Sequence, residues 1–266
     1  MRRLITFRCN GATLVGTLDE APGRTGLLIV SGGNELRMGA YRGMSRLAQR
    51  VADAGYPVFR FDRRGIGDSE GENRGFESSC PEIAHAAAAF RKAAKLDHLI
   101  AFGNCDAATS LILFHNRAAI DRLVLANPWL VDRQHEDLPP PAAIRAHYAA
   151  RLRDPREWLR LARGGVNLTK LIRGLRATAE KRSQDPNSLS ARTARALAAS
   201  TVPTSLLLAT GDHTAVAFQH AYRASRFDPV RSRIRVEQRD TASHSFAGEG
   251  DKDWLFDQLL AALRTV

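Results

Sequence analysis

The stretch FGNCDAAT, residues 102–109, places a cysteine where an apolar run turns into a segment with a helical pattern. The run HLIA (98–101) directly precedes it, which predicts a buried strand that ends in a sharp turn into a helix. Gly103 and Ala107 stand two positions either side of Cys105, and small residues there relieve crowding in such a turn. A nucleophile at this place would start a helix, whose dipole favours a thiolate. Because free cysteine is also common in protein cores, a buried structural thiol is the alternative.

Segments with strand and helix patterns alternate on both sides of this turn. The predicted strands are 4–9, 12–18, 25–33, 56–62, 98–103, 122–128, 202–211 and 233–238. The predicted helices are 41–54, 81–95, 107–116, 216–225 and 251–264. Alternation of this kind predicts an α/β fold in which helices cover both faces of a mostly parallel sheet. Asn10-Gly11 joins the first two strands and suits the tight turn of a hairpin.

Residues 129–200 interrupt the alternation. They contain helical stretches but no convincing strand, and their basic residues outnumber their acidic ones. We therefore predict one α/β core domain, residues 1–128 and 201–266, with a helical lid at 129–200 inserted after the sixth strand. The basic charge predicts attraction for an anionic group on a substrate, and a solvated helix surface is the alternative.

The composition excludes several classes of protein. With 266 residues, of which 44% are hydrophobic and 25% charged, the chain has the make-up of a globular protein. No apolar run is long enough to span a bilayer and the N-terminus does not resemble a secretory signal, so we expect a cytoplasmic protein. The net charge is +11, but the basic residues are not interleaved with aromatic ones, and nucleic-acid binding is not predicted.

The cysteine pattern does not predict a metal or a cofactor. Cys9, Cys80 and Cys105 are widely spaced and form no C-x-x-C pair. Neither a disulfide framework nor a structural zinc site is therefore expected.

A histidine and an acid follow the last predicted strands, at the sheet edge where functional residues of α/β proteins gather. His244 lies between the last strand and the last helix, and the order nucleophile, acid, histidine is that of one hydrolase architecture. We therefore predict Cys105 as nucleophile and His244 as base. Asp212 directly follows the seventh strand and is the first candidate for the acid that orients the imidazole. Asp240 and Asp132, which also follow strands, are the alternatives.

Backbone N–H groups are expected to stabilise an oxyanion beside the nucleophile. One should come from the residue after the nucleophile and one from the loop after the third strand. This predicts the N–H groups of Asp106 and Gly33, with Asn34 next in line.

FDRRGIGDSEG, residues 61–71, resembles the Asp-x-x-Gly-x-Gly-x-Ser loop that follows the fourth strand of α/β-hydrolases. The matching residues are Asp62, Gly65, Gly67 and Ser69. LLIVSGGNELRMGAYRG (27–43), the cysteine turn and GDHTA (211–215) are similar, more closely, to the exosortase A system-associated hydrolases of type 1. Those are bacterial proteins encoded near exopolysaccharide and protein-sorting genes.

The chain departs from the hydrolase pattern at several positions. Cys105 stands where serine is commoner, and Ser31 stands where many α/β-hydrolases have a histidine before the oxyanion glycine. The usual family spacing would also put the acid at Thr214 rather than at Asp212. Cysteine serves as the nucleophile in the dienelactone-hydrolase branch, so the resemblance still implies acyl transfer.

Together these features predict a hydrolase of ester or thioester bonds, acting on a small molecule. It would use a Cys105-His244-Asp212 triad and an acyl-enzyme intermediate. The alternatives are an acyltransferase with the same triad and a non-catalytic scaffold of the same fold.

Overall fold

The computed structural model describes residues 1–132 and 185–265. Its strands are β1 (Arg2–Cys9), β2 (Ala12–Asp19), β3 (Thr25–Val30), β4 (Val58–Phe61), β5 (His98–Asn104), β6 (Arg122–Ala126), β7 (Thr204–Ala209) and β8 (Arg235–Arg239). Its α-helices are α1 (Gly43–Asp53), α2 (Cys80–Ala94), α3 (Asp106–Phe114), α4 (Leu189–Ala199), α5 (His213–Tyr222), α6 (Asp228–Arg231) and α7 (Asp251–Arg264).

The eight strands form one sheet in the order β1-β2-β4-β3-β5-β6-β7-β8. Strand β2 runs antiparallel to β1 and β4, and all other neighbours are parallel. The predicted α/β fold with a mostly parallel sheet is confirmed. Because β3, β5, β6 and β7 are successive neighbours, the loops at their carboxyl ends meet at one edge of the sheet.

Helices cover both faces of the sheet, and strand β5 is buried from both sides. Leu99 and Ala101 contribute to one core, together with apolar residues of α2 and α3. Ile100 and Phe102 contribute to the other core, together with apolar residues of α1 and α7. Successive side chains of a strand point to opposite faces, so a strand covered on both sides is apolar throughout.

The Asn10-Gly11 turn forms as predicted. Both residues have positive φ, 48° and 88° respectively, and the strands pair from Cys9 with Ala12 onward. Asn and Gly tolerate this left-handed backbone better than other residues, so the turn defines the register of the antiparallel pair.

Most of the predicted lid, residues 133–184, lies outside the described residues. The described end of that segment is α4, which packs against α3 and buries Ala194 and Leu197 in the core. His115 Nε2 and Ser200 Oγ are 2.8 Å apart in a buried contact that joins the two helices where they end. The packing of α4 therefore groups it with the core, although the predicted boundary assigned it to the lid.

Within residues 1–132 and 185–265, no helix combines the length and apolar character needed to cross a membrane. The same residues contain no group of three or more His, Cys, Asp or Glu side chains arranged to hold a metal ion.

We expect Gly103→Ala to destabilise the protein and Gly43→Ala to leave it intact. A Cβ at Gly103 would lie 2.9 Å from the backbone carbon of Ala107, so α3 would have to move away from β5. Overpacking of this kind costs about 1–3 kcal/mol. Gly43 begins α1 with φ −58°, and a Cβ added there would meet nothing within 4 Å, so alanine should gain about 0.4–1 kcal/mol. Urea denaturation of the two variants measures both effects, and equal free energies of unfolding would contradict the close packing at Gly103.

Candidate active site

Cys105 lies on a strained turn between β5 and α3. Its φ of 60° and ψ of −126° are far from both strand and helix values. Such backbone costs about 1–3 kcal/mol and persists only where neighbouring contacts hold it. The Cys105 N–H donates to the carbonyl of Ala126 at 3.0 Å, and its own carbonyl accepts from the amides of Thr109 and Trp129. Cys105 is a partly exposed residue, whereas Cys9 is buried, so Cys105 is not a fully buried core cysteine.

The structure brings Asp212, and not Asp240 or Asp132, to His244. Asp212 Oδ2 lies 3.1 Å from His244 Nδ1 and also accepts from the Ala215 N–H at 2.9 Å, as the N-cap of α5. Asp240 instead accepts from the Thr210 hydroxyl, and Asp132 from the Leu189 amide. One capping carboxylate therefore begins a helix and orients the imidazole.

The electrostatic surroundings favour a protonated His244. The hydrogen bond to Asp212, followed by a hydrogen bond to the Cys105 side chain, raises the pKa of His244 to about 10. Burial alone would raise the pKa of the Asp212 carboxyl, but the hydrogen bonds from His244 and the Ala215 amide outweigh it, and the pKa lies below its ordinary value. At neutral pH the imidazole is therefore charged, and it lies between the Asp212 carboxylate and the Cys105 sulfur.

Two asparagines that the sequence patterns do not single out hold the histidine loop. Asn104 and Asn127 each donate a side-chain N–H to the His244 carbonyl, at 3.1 and 2.9 Å. Asn127 also accepts from the Ala209 N–H at 2.9 Å, so it ties the end of β7 to the same loop. Asparagine suits this position after β6 because the backbone φ of Asn127 is positive, at 41°. Nothing in the sequence marks the residue as part of a site.

The predicted oxyanion donors face the turn, and one of them is occupied. The Gly33 N–H donates to Asp106 Oδ1 at 2.7 Å. The Asp106 N–H lies in the first turn of α3, whose amides have no partner within the helix. The Asn34 side chain is engaged elsewhere, since its Oδ1 accepts from Asn73 at 2.7 Å. Gly33 and Asp106 are therefore in contact through the Asp106 carboxylate, which the sequence patterns do not indicate, and their role as oxyanion donors stays a prediction.

Cys105 lies on the turn after β5, Asp212 follows β7 and His244 follows β8, so all three come from the same edge of the sheet. The chain belongs to the α/β-hydrolase family described as serine aminopeptidase, S33, whose model matches residues 22–225. Among curated proteins, none matches this chain.

Solved structures share the fold over nearly the whole chain. The Pyrococcus furiosus esterase Pf2001 is 16% identical with a TM-score of 0.66, and the match covers 99% of this chain and 91% of that one. The Penicillium α/β hydrolase GrgF is also 16% identical with a TM-score of 0.64, covering 99% and 98%. A putative aryl esterase from Burkholderia cenocepacia is 18% identical with a TM-score of 0.59, covering 98% and 100%. At these identities the likeness is one of fold.

We expect Asn104→Ala to lower kcat/KM for an acyl substrate by roughly two- to tenfold without unfolding the protein. One of the two donors to the His244 carbonyl is lost, and a hydrogen bond contributes about 0.5–1.5 kcal/mol. Asn116→Ala, an exposed asparagine far along the chain from the histidine loop, is the matched control. Steady-state kinetics on the same ester measures kcat/KM for both variants. Equal kcat/KM values would contradict the role of Asn104.

We expect the stabilisation that His244 provides to decline between about pH 6.5 and pH 10. Below pH 6.5 the histidine is protonated in both the folded and the unfolded chain, so its stabilising interactions are fully present. As pH rises towards the folded-state pKa of about 10, the folded chain must hold a proton that the unfolded chain has lost, and the advantage disappears. Urea denaturation of wild type and His244→Gln at pH 6, 8 and 10 measures this. A difference in free energy of unfolding that stays constant or grows with pH would be inconsistent with the raised pKa.

Proposed function

We propose that the protein hydrolyses ester or thioester bonds through the Cys105-His244-Asp212 triad. The observation that carries this proposal is the Asp212 carboxylate 3.1 Å from His244 Nδ1, together with the raised pKa of the same imidazole, to which the Cys105 side chain contributes. Membership of an α/β-hydrolase family supports the same function. The proposed nucleophile is a thiol, whereas the family description refers to serine enzymes.

The first half-reaction forms the acyl-enzyme. The Cys105 sulfur, as a thiolate paired with protonated His244, forms a bond to the substrate carbonyl carbon while the carbonyl electron pair moves to oxygen. When the tetrahedral intermediate collapses, the bond to the leaving group breaks. His244 gives its proton to the departing alkoxide or thiolate, and Asp212 holds the ring in place throughout.

The second half-reaction releases the acid. His244, now neutral, takes a proton from water as the water oxygen attacks the thioester carbonyl of the acyl-enzyme. Collapse breaks the carbon–sulfur bond, and the thiolate and imidazolium are restored. A thiolate is a better leaving group than an amine. The tetrahedral intermediate formed from an amide would therefore expel the Cys105 sulfur again rather than the amine. Activated esters and thioesters are therefore the substrates we propose.

Several narrower predictions accompany this proposal. We propose that residues within the predicted lid, 129–200, set substrate size, and that their basic charge favours an anionic leaving group such as the nucleotide end of an acyl-CoA. We also retain the cytoplasmic location and the kinship with exosortase A system-associated hydrolases as predictions. The latter rests on the stretches 27–43 and 211–215.

We expect Cys105→Ala to lower turnover of p-nitrophenyl esters and acyl-CoA thioesters by roughly a thousandfold or more, because the attacking atom is gone. Intact-mass spectrometry should find an acyl adduct on wild type and none on the variant. Cys80→Ala, which removes a partly exposed thiol at the start of α2, is the control and should retain both activity and adduct.

The same panel separates the alternatives. Product that forms only when an alcohol or amine acceptor is added, with an adduct on Cys105, identifies an acyltransferase. Absence of both turnover and adduct across the panel, in a folded protein, would sink the hydrolase proposal and favour a scaffold. Loss of activity in Cys80→Ala as well as in Cys105→Ala would remove Cys105 from its assigned role.

A further inference from the structure

The Asp106 side chain occupies one of the two N–H groups that we predict to bind the oxyanion of an acyl substrate. Its Oδ1 accepts from the Gly33 N–H at 2.7 Å. The same oxygen would lie only 2.7 Å from a Cβ on Gly32, so the carboxylate packs directly on the oxyanion loop. A carboxylate oxygen carries the charge that an oxyanion would carry. The predicted donor is therefore already holding an anion that the chain supplies itself.

A buried arginine lies beside this carboxylate. Arg63 donates from Nη2 to the carbonyl of Gly33, and the same nitrogen is 3.9 Å from Asp106 Oδ2. Only 5% of the Arg63 side chain is exposed. Its Nη1 is buried and has no hydrogen-bond partner among the described residues. A small shift of Asp106 would bring Oδ2 from 3.9 Å to hydrogen-bond distance of Arg63 Nη2, and a charge-assisted hydrogen bond of this kind is favourable.

We propose that Asp106 is a specificity-determining residue that controls the oxyanion site, with Arg63 as its positioning residue. In the resting enzyme the Asp106 carboxylate accepts the hydrogen bond from the Gly33 N–H. A substrate carbonyl takes over that N–H, and the displaced carboxylate pairs with Arg63. This inference rests on the proposed acyl transfer and deepens it.

The arrangement has a consequence for the acyl group. After this shift Asp106 still lies beside the reacting carbonyl, and a neutral acyl chain carries no charge for it to repel. An acyl group that carries its own carboxylate near the carbonyl would instead be repelled by Asp106. The site therefore selects neutral acyl groups over anionic ones, whatever the charge on the leaving group.

Asp106→Asn tests this selection because it keeps an oxygen acceptor for Gly33 and removes the charge. Butyryl-CoA and succinyl-CoA have acyl chains of equal length, and the ratio of their kcat/KM values reports the preference for a neutral chain. We expect Asp106→Asn to shift that ratio roughly tenfold towards succinyl-CoA, since a charge close to the reaction centre is lost. Asp253→Asn, in the first turn of α7, is the matched control and should leave the ratio unchanged.

A second measurement does not depend on turnover. Iodoacetamide and iodoacetate alkylate the same thiol, but only iodoacetate is negatively charged. Asp106→Asn should raise the iodoacetate-to-iodoacetamide rate ratio at Cys105 by roughly tenfold, with Asp253→Asn again unchanged. If no variant hydrolyses any substrate, the hydrolase proposal fails while this ratio still decides the role of Asp106. An unchanged alkylation ratio and an unchanged acyl preference in folded Asp106→Asn would overturn the inference.

The role of Arg63 is tested by non-additivity. Arg63→Met should slow acylation by butyryl-CoA roughly tenfold, because the displaced carboxylate has no partner. It should have little effect in an Asp106→Ala background, where no carboxylate needs one. Equal losses in both backgrounds would overturn the positioning role. Arg63→Lys, which retains the charge but not the planar fork, replaces Arg63→Met if thermal unfolding reveals that the latter does not fold.

Discussion

The close approach of α3 to β5 is the constraint on which the candidate site depends. A Cβ at Gly103 would lie 2.9 Å from the Ala107 backbone in the first turn of α3, so glycine allows the helix to pack this closely on β5 directly beside Cys105. The strained backbone there is held by hydrogen bonds to the end of β6 and to the segment that follows it. The sheet and α3 together therefore fix the backbone position of Cys105, and this rigid support orients its side chain.

The other two members of the proposed triad are each held by contacts that also shape the fold. Asp212 caps α5 and orients His244 with one carboxylate, so the helix start and the acid are a single feature. The His244 backbone is tied by Asn104 and Asn127, which stand at the ends of β5 and β6. Each group of the site is therefore attached to the end of a strand, and the parallel order of the sheet brings them together.

The features of the fold and site that depend on local sequence were predictable. Asn10-Gly11 marks the hairpin, and small residues around Cys105 mark the turn, because both depend on neighbours in the chain. The choice of Asp212 depends on which carboxylate meets the imidazole across the sheet. Family spacing pointed instead to Thr214. The Asp106 carboxylate and Arg63 were missed because their meeting at Gly33 joins loops about 30 and 70 residues apart, which no local pattern reports.

The chain leaves the core and returns to it at almost one point. Asp132 accepts a hydrogen bond from the Leu189 amide at 2.7 Å, so the two ends of the intervening stretch touch. Closing a loop between fixed ends costs only about 0.6 kcal/mol more for each doubling of its length. Because these two ends already meet, sequences of different length between Asp132 and Leu189 are compatible with the same sheet. The core residues that hold the candidate site and the residues between Asp132 and Leu189 can therefore change independently of each other.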